Sequence, residues 1–508
     1  FYILMLLCYV AFVVMASYFD VTRATPLLVI SGLFVFCCAY WMTKTKCSAS
    51  IGKTCLPLIS KFTKRLSVIK WFVQLLAYVL AIAGVVAYLL LYVGTDPNQY
   101  SSLAGLCVFL LLLWLFSKHP TKVNPRPVLL GLQLQFLVAL LVLRTSWGLE
   151  AFNFLGGRLQ KFLAYTHVGS KFVFGLHYEE HLFAFKVMPV VIMFCATISA
   201  LYYLGIMQAI IGKIAWLMQK TLQTSATESL VAAGNIFIGQ TEAPILVRPF
   251  INDMTKSELH AMMTAGYATI AGSVLAAYIL FGVSAQHLIC ASVMNAPMSL
   301  AVSKLFYPET EKSKTFDKNV SLNKSSDRSL LESISSGVSQ SLPLVANIVG
   351  NLIAFLALLA FINAVVSWFG AMVDHPEWTF QLLCGYIFMP FAYLMGVDSK
   401  DCLKFGELLG MKTFLNEFVA YEELSRLINA RKSCTDSGLG HLSPRSEVIA
   451  TYALCGFSNL SSVGVQIGGI GALAPSRRAD VAQLAVRALV AGTTVCFITA
   501  CIAGWSFI

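Results

Sequence analysis

Apolar runs long enough to cross a lipid bilayer recur along the whole of this chain. They lie near 1–19, 26–43, 71–93, 102–117, 127–143, 183–205, 259–283, 286–305, 343–370, 378–398 and 481–508. Several reach the roughly 17–25 residues that cross the hydrocarbon core as a helix. Charged residues make up only 12% of the chain, where soluble domains carry about 25%. The mean hydropathy is +0.74. These runs predict an all-α polytopic membrane protein.

The formal charge is +11, but it does not read as a nucleic-acid footprint. The basic residues sit mostly between the apolar runs, where they set topology. Seven basic residues and no acid separate the second and third runs, from Lys44 to Lys70. The connection 94–101 has no Lys or Arg, and the next holds Lys118, Lys122 and Arg126. This alternation predicts a cytoplasmic N-terminus. Fourteen cysteines are scattered, and Cys8, Cys37, Cys38, Cys107, Cys195 and Cys496 lie inside apolar runs. They read as small buried hydrophobes rather than a disulfide framework. The chain begins at Phe1, already apolar, as expected for the core of a longer protein.

One stretch breaks the apolar pattern at its centre: GNIFIGQTEAPILVRPF, from Gly234 to Phe250. Asn235, Gln240, Thr241 and Glu242 fall between Gly239 and Pro244 or just before them. A carboxylate at bilayer depth costs about 2.5 kcal/mol or more and marks function. Broken backbone there is tolerated only when buried in protein or lining a cavity. The stretch therefore predicts the tip of a re-entrant hairpin that holds a polar solute. A second polar block, FLNEFVAYEEL, carries Asn416 and Glu417.

The two blocks belong to a repeat. Glu242 is followed by Lys256-Ser257-Glu258-Leu259 and then AGYAT; Glu417 is followed by Arg445-Ser446-Glu447-Val448 and then CGFSN. Each copy reads as a span, an amphipathic stretch, a polar break with a Glu, and a helix interrupted by small and polar residues. The loop charges place the two hairpins on opposite sides, which is the inverted repeat of secondary transporters with a midplane site. The basic residues of 424–445, expected to be a polar loop outside, run against that orientation. Thr269 and Ser273 stand in the first interruption; Phe457, Asn459, Ser461 and Ser462 stand in the second. Hydroxyl, amide and carboxylate groups beside an aromatic ring suit an uncharged, polyhydroxylated aromatic solute. Interrupted helices also offer carbonyls for Na⁺.

Between 144 and 182 the residues mix polar and apolar, as in an interfacial helix. His177, Glu180 and His181 match the H-x-x-E-H spacing of an inverted zinc-peptidase motif. That leaves a membrane metallopeptidase as a rival reading, and a passive channel with a polar midplane as another. Gly468-Gly-Ile-Gly471 lacks the strand–helix setting of a dinucleotide loop and reads as close helix packing. The hydrophilic segment 306–330 is expected in the cytoplasm, with its N-x-S sites at Asn319 and Asn323 unglycosylated.

GNIFIGQTEAPILVRPF, NEFVAYEEL and ALCGFSNLSSVG, in this order, resemble the motifs of the concentrative nucleoside transporters, solute carrier family 28. The resemblance runs from about residue 102 to the end, and the three spans before it resemble the vertebrate-type members. It implies a homotrimer in the plasma membrane, with the N-terminus cytoplasmic and the C-terminus extracellular. Residues 1–101 would be additional transmembrane helices. Scaffold helices would come from 102–205 and 343–370, and an elevator-type transport domain from 206–305 and 371–508, with a cytoplasmic loop at 306–342. Gly239, Gln240, Thr241 and Glu242 would face the nucleobase, with Val274 nearby. Glu417, Asn459 and Ser462 would bind the ribose, and Phe457 would line the pocket. Na⁺ would be held by Asn235, the Ile238 carbonyl, Thr269 and the Ile270 carbonyl. No enzymatic activity and no cofactor beyond the coupling ion are implied.

Gly239, Ser273-Val274 and the closing TYALCGF and APSRR resemble the broad-specificity member, while Ala243 departs from the Ser of human-like broad members. The expected cargo is uridine, cytidine, thymidine, adenosine, guanosine, inosine and their analogues, with Na⁺ and, in such members, H⁺. A pyrimidine- or purine-selective member of the same family is the alternative.

Overall fold

The computed structural model describes residues 2–20, 24, 27–28, 31–32, 35, 97–178, 182–315, 327–432 and 442–506. The chain divides into two compact units, Phe1–Val93 and Gly94–Ile508. In the first, α1 (Tyr2–Phe19) occupies the first predicted run. The run expected at 71–93, most of that at 26–43, and Asn319 and Asn323 lie outside the described residues.

The second unit has no strand among its described residues. It opens with α2 (Pro97–Leu115), α3 (Pro125–Leu143), α4 (Ser146–Ala164) and α5 (Thr166–Phe174). Two further series of helices follow. First come α6 (Met188–Tyr203), α7 (Ile206–Leu222), α8 (Ala226–Gly234) with a 3-10 segment Ala243–Asp253, α9 (Lys256–Ala268), α10 (Gly272–Leu280) and α11 (Ala285–Phe306). Then come α12 (Leu330–Ala371), α13 (Phe380–Leu394), α14 (Cys402–Gly410), α15 (Glu417–Lys432), α16 (Pro444–Leu454), α17 (Leu460–Leu473) and α18 (Arg478–Ser506). Seven helical stretches among the described residues are long and apolar enough to cross a membrane.

Three elements differ from the sequence expectation. The run at 343–370 begins earlier, as the 42-residue α12 from Leu330. Its first turns are polar because they pack on α6: Ser333 Oγ donates to the Ser199 carbonyl at 2.9 Å. The sequence leads one to expect Pro390 to interrupt the run 378–398, but α13 continues through it. Residues 424–432, expected in a loop, continue α15. There Arg426 pairs with Glu422 and Glu423 at 3.0 and 3.3 Å, one turn away on the same helix.

Burial separates two kinds of helix. Across an 18-residue apolar window, 94% of the residues are buried in the stretch containing α9 and α10 and 89% in α11, against 11% in α12. An apolar helix left open along most of its length suits lipid or another subunit; a buried one suits the protein interior.

The helix starts are written locally. Ser225 and Thr255 each accept an N–H from the Glu three residues on, and that Glu carboxylate accepts the cap residue's own N–H. Each carboxylate then uses its second oxygen beyond its own helix. Glu228 meets the buried Lys304 ammonium at 2.5 Å. Glu258 accepts both Ser313 Oγ and Thr315 Oγ1 at 2.6 Å. Lys304 also donates to Ser257 Oγ at 3.0 Å and Glu309 at 3.2 Å. The segment after α11 is thus fastened across the starts of α8 and α9.

Candidate solute and cation site

The two polar blocks and the two helix interruptions meet. The chain leaves helical geometry between α9 and α10 at Thr269–Ala271, and between α16 and α17 at Cys455–Asn459. The interruptions bond to one another: the Phe457 N–H donates to the Thr269 carbonyl at 3.2 Å. The first polar block docks on the first interruption through Gly272 N–H to the Phe237 carbonyl at 3.1 Å.

Asn459 has two tasks. Its Oδ1 accepts Ser462 N–H at 2.8 Å and so caps α17. Its Nδ2 donates to Glu417 Oε2 at 2.6 Å, a charge-assisted bond when Glu417 is ionised. Gln240 Nε2 donates to Ser462 Oγ at 3.3 Å. Gln240, Glu417, Asn459 and Ser462 are all buried, and Phe457 is half-buried. Thr241 lies beside α17, where its Cγ2 would be 3.2 Å from a Cβ on Gly469. Val274 is buried on α10.

Glu242 stands apart. Its Oε2 accepts Gly239 N–H at 3.3 Å, and its side chain is exposed to a cavity of about 440 Å³. Cys195, Ser199, Ser273, Ser333 and Gln340 also line that cavity, together with Ile238. The structure brings Gln240 to Ser462 and Asn459 to Glu417, but it does not bring Glu242 into bonding contact with them.

Asn235 is 1% exposed, and neither Oδ1 nor Nδ2 has a hydrogen-bond partner among the described residues. A buried amide left so is costly unless something else binds it. Thr269 directs its hydroxyl proton to the Ala265 carbonyl at 2.7 Å, so its lone pairs remain to accept or coordinate. An amide oxygen, a hydroxyl and backbone carbonyls are hard oxygen donors, and their chemistry fits a small hard cation.

Two buried residues of the site stand outside the motif reading. Gln466 Nε2 donates to Gln240 Oε1 and to the Met263 carbonyl, each at 3.1 Å. Lys412, 1% exposed, donates to the Ala453 carbonyl at 2.8 Å beside the second interruption. The rule that singles out Glu242 and Glu417, an ionisable group in an apolar run, would have found Lys412. Gln466 carries no such local signal.

Family models cover most of the chain. The Na⁺ dependent nucleoside transporter N-terminus matches residues 104–176, a nucleoside recognition domain 184–285, and the Na⁺ dependent nucleoside transporter C-terminus 287–504. Solute carrier family 28 member 3 of Rattus norvegicus is 51% identical, over 98% of this chain and 71% of that protein. This chain belongs to solute carrier family 28. Sodium/nucleoside cotransporter 1 of Mus musculus is 48% identical, over 98% of this transporter and 76% of its own length. Among solved structures, CNTnw in an inward-facing substrate-bound state matches with a TM-score of 0.75 and 36% identity. It covers 80% of this transporter and 98% of that chain. An outward-facing CNTnw variant matches with the same TM-score at 35% identity.

The protein is therefore a multi-pass membrane transporter and not an enzyme, with Na⁺ as the coupling ion and no cofactor. The H-x-x-E-H match takes no part in this: His177 is described, Glu180 and His181 are not. No cluster of three potential metal ligands from His, Cys, Asp and Glu occurs among the described residues.

Proposed function

We propose that this chain imports both purine and pyrimidine nucleosides by Na⁺ symport across the plasma membrane. The observation that carries the reading is the convergence of amide, hydroxyl and carboxylate groups from both halves of the transporter. Gln240 and Ser462 are joined there, as are Asn459 and Glu417. In this reading Gly239, Gln240, Thr241 and Glu242 read the base, with Val274 behind them. Glu417, Asn459 and Ser462 take the ribose hydroxyls beside Phe457. The Asn459–Glu417 bond is exchanged for bonds to the sugar. Na⁺ binds Asn235, Thr269 and the Ile238 and Ile270 carbonyls, and so orders the polar block that completes the base-binding edge. An ion drives uptake only through its different affinities for the states it links.

The two helix–turn–helix blocks act as opposed re-entrant hairpins. They form, with the interrupted helices, a transport domain that moves as an elevator against a scaffold of 102–205 and α12. The little-buried α12 supports that scaffold role and a homotrimer. The N-terminus is cytoplasmic and the C-terminus extracellular.

Radiolabelled uridine and inosine uptake, in oocytes bathed in Na⁺ or choline, tests this directly. Na⁺-dependent accumulation of both is expected. Uridine alone would narrow the chain to a pyrimidine carrier; neither, with protein at the surface, would overturn the reading. Uptake of uridine from Na⁺-free acid medium tests H⁺ as an additional coupling ion.

A further inference from the structure

The interruptions leave two backbone carbonyls without their helical donors. Ala268 O would ordinarily accept the N–H of residue 272, but Gly272 N–H goes to the Phe237 carbonyl. Cys455 O would accept the N–H of residue 459, but Asn459 N–H goes to the Phe457 carbonyl. One side-chain amide meets both oxygens. Asn295, wholly buried on α11, donates Nδ2–H to Ala268 O at 2.7 Å and to Cys455 O at 3.1 Å. Both amide protons are used, one for each interruption.

The other end of the amide is fixed as well. Asn295 Oδ1 lies 2.5 Å from Thr499 Oγ1, whose one proton it shares with the Val495 carbonyl at 2.8 Å, and Thr499 Oγ1 accepts from Gln135 Nε2 at 2.7 Å. Thr499 is on α18 and Gln135 on α3, and neither is exposed. The two backbone carbonyls fix which end of Asn295 is nitrogen, and the Thr499–Gln135 chain holds the other end in place. It also anchors the amide to two helices that carry none of the residues assigned to solute or ion. Cys496 Sγ lies near the same two oxygens, at 3.2 Å from Cys455 O and 3.7 Å from Ala268 O, as a weaker donor.

Ala268 immediately precedes Thr269, and Cys455 stands two residues before Phe457 and four before Asn459. We propose that Asn295 is the positioning residue that couples cation and nucleoside binding, by holding the two interruptions at one spacing. It touches neither cargo. When Na⁺ draws on Thr269 and the Ile270 carbonyl, the shift passes through one rigid amide to the interruption that carries Phe457 and Asn459. The inference rests on the symport reading above.

The test is the ratio of nucleoside half-saturation at low Na⁺ to that at high Na⁺, measured with full-length protein and corrected for surface abundance. Coupling of two binding free energies appears in that ratio and in its reciprocal for Na⁺. Asn295→Leu keeps the volume and loses every bond. We expect the ratio to fall about ten-fold toward one, equivalent to about 1.4 kcal/mol. Thr499→Val should lower it about three-fold, and Thr499→Ser, which keeps the hydroxyl, should restore it. The Thr499 pair decides the matter if Asn295→Leu does not reach the membrane. Variants with lower abundance or maximal rate but unchanged ratio would overturn the proposal and leave Asn295 a packing residue. Glu417→Gln, run alongside, separates the two ideas. If it abolishes Na⁺-dependent uptake while the Thr499 variants leave the ratio unmoved, the symport reading stands and the coupling role falls. Parent protein without Na⁺-dependent uptake would overturn both.

Discussion

Gly266 is small because two glutamines occupy its space. A Cβ there would lie 2.5 Å from Gln466 Nε2 and 3.0 Å from Gln240 Cβ. Gly266→Ala must therefore displace the bridge between Gln240 and Gln466, an overpacking that costs about 1–3 kcal/mol. The expected result is a higher nucleoside half-saturation, read by uptake kinetics at saturating Na⁺. Gly239 is different: a Cβ there meets Ala271 Cβ at 3.4 Å, an ordinary contact. Gly239→Ser should fold normally and, on the proposal that Gly239 faces the base, shift the ratio of uridine to inosine uptake rates. Glu242 and Glu417 stand out in the sequence because a carboxylate in an apolar run has few uses, and the structure buries Glu417 against Asn459 while Glu242 faces a cavity. Asn295 and Gln466 were not, because their meaning lies in partners 160 and 226 residues away. An amide in an apolar helix is otherwise unremarked.

At the scale of elements, the polar blocks and interrupted helices were readable from Gly, Pro and polar residues inside apolar runs. Helix ends were less so. Hydropathy begins α12 at 343, yet its serine- and glycine-bearing first turns are helical because α6 covers them. A Cβ on Gly337 would come within 2.5 Å of Ser199 Oγ. Likewise, charge made 424–432 look like a loop, whereas ion pairs within one turn carry the helix on. The fastening at the starts of α8 and α9 makes its own prediction. Lys304 is buried among Glu228, Glu309 and Ser257, so Lys304→Met leaves Glu228 buried without its counter-charge. Removing one partner of such a pair costs about 3–5 kcal/mol. The purified variant should melt well below the parent in a detergent thermal-shift assay, and Glu228→Gln combined with Lys304→Met should recover part of the loss.

On the scale of the molecule, every residue assigned to solute or ion lies in the unit Gly94–Ile508. A chain beginning at Gly94 should retain Na⁺-dependent uptake per molecule at the surface, checked by uptake normalised to surface biotinylation. That the chain carries two polar blocks and two helix interruptions was legible in the sequence, but how they are bonded was not: Phe457 N–H reaching Thr269 O has no periodic signature. This bond and those of Asn295 also bear on biosynthesis. Asn295 must wait for Cys455, 160 residues downstream. At 5–20 residues per second, synthesis of that stretch takes about 8–32 s. For that interval the nascent first half sits in the membrane with exposed carbonyls and half-satisfied amides. Completion of the last helices is then the step that gives these groups their partners.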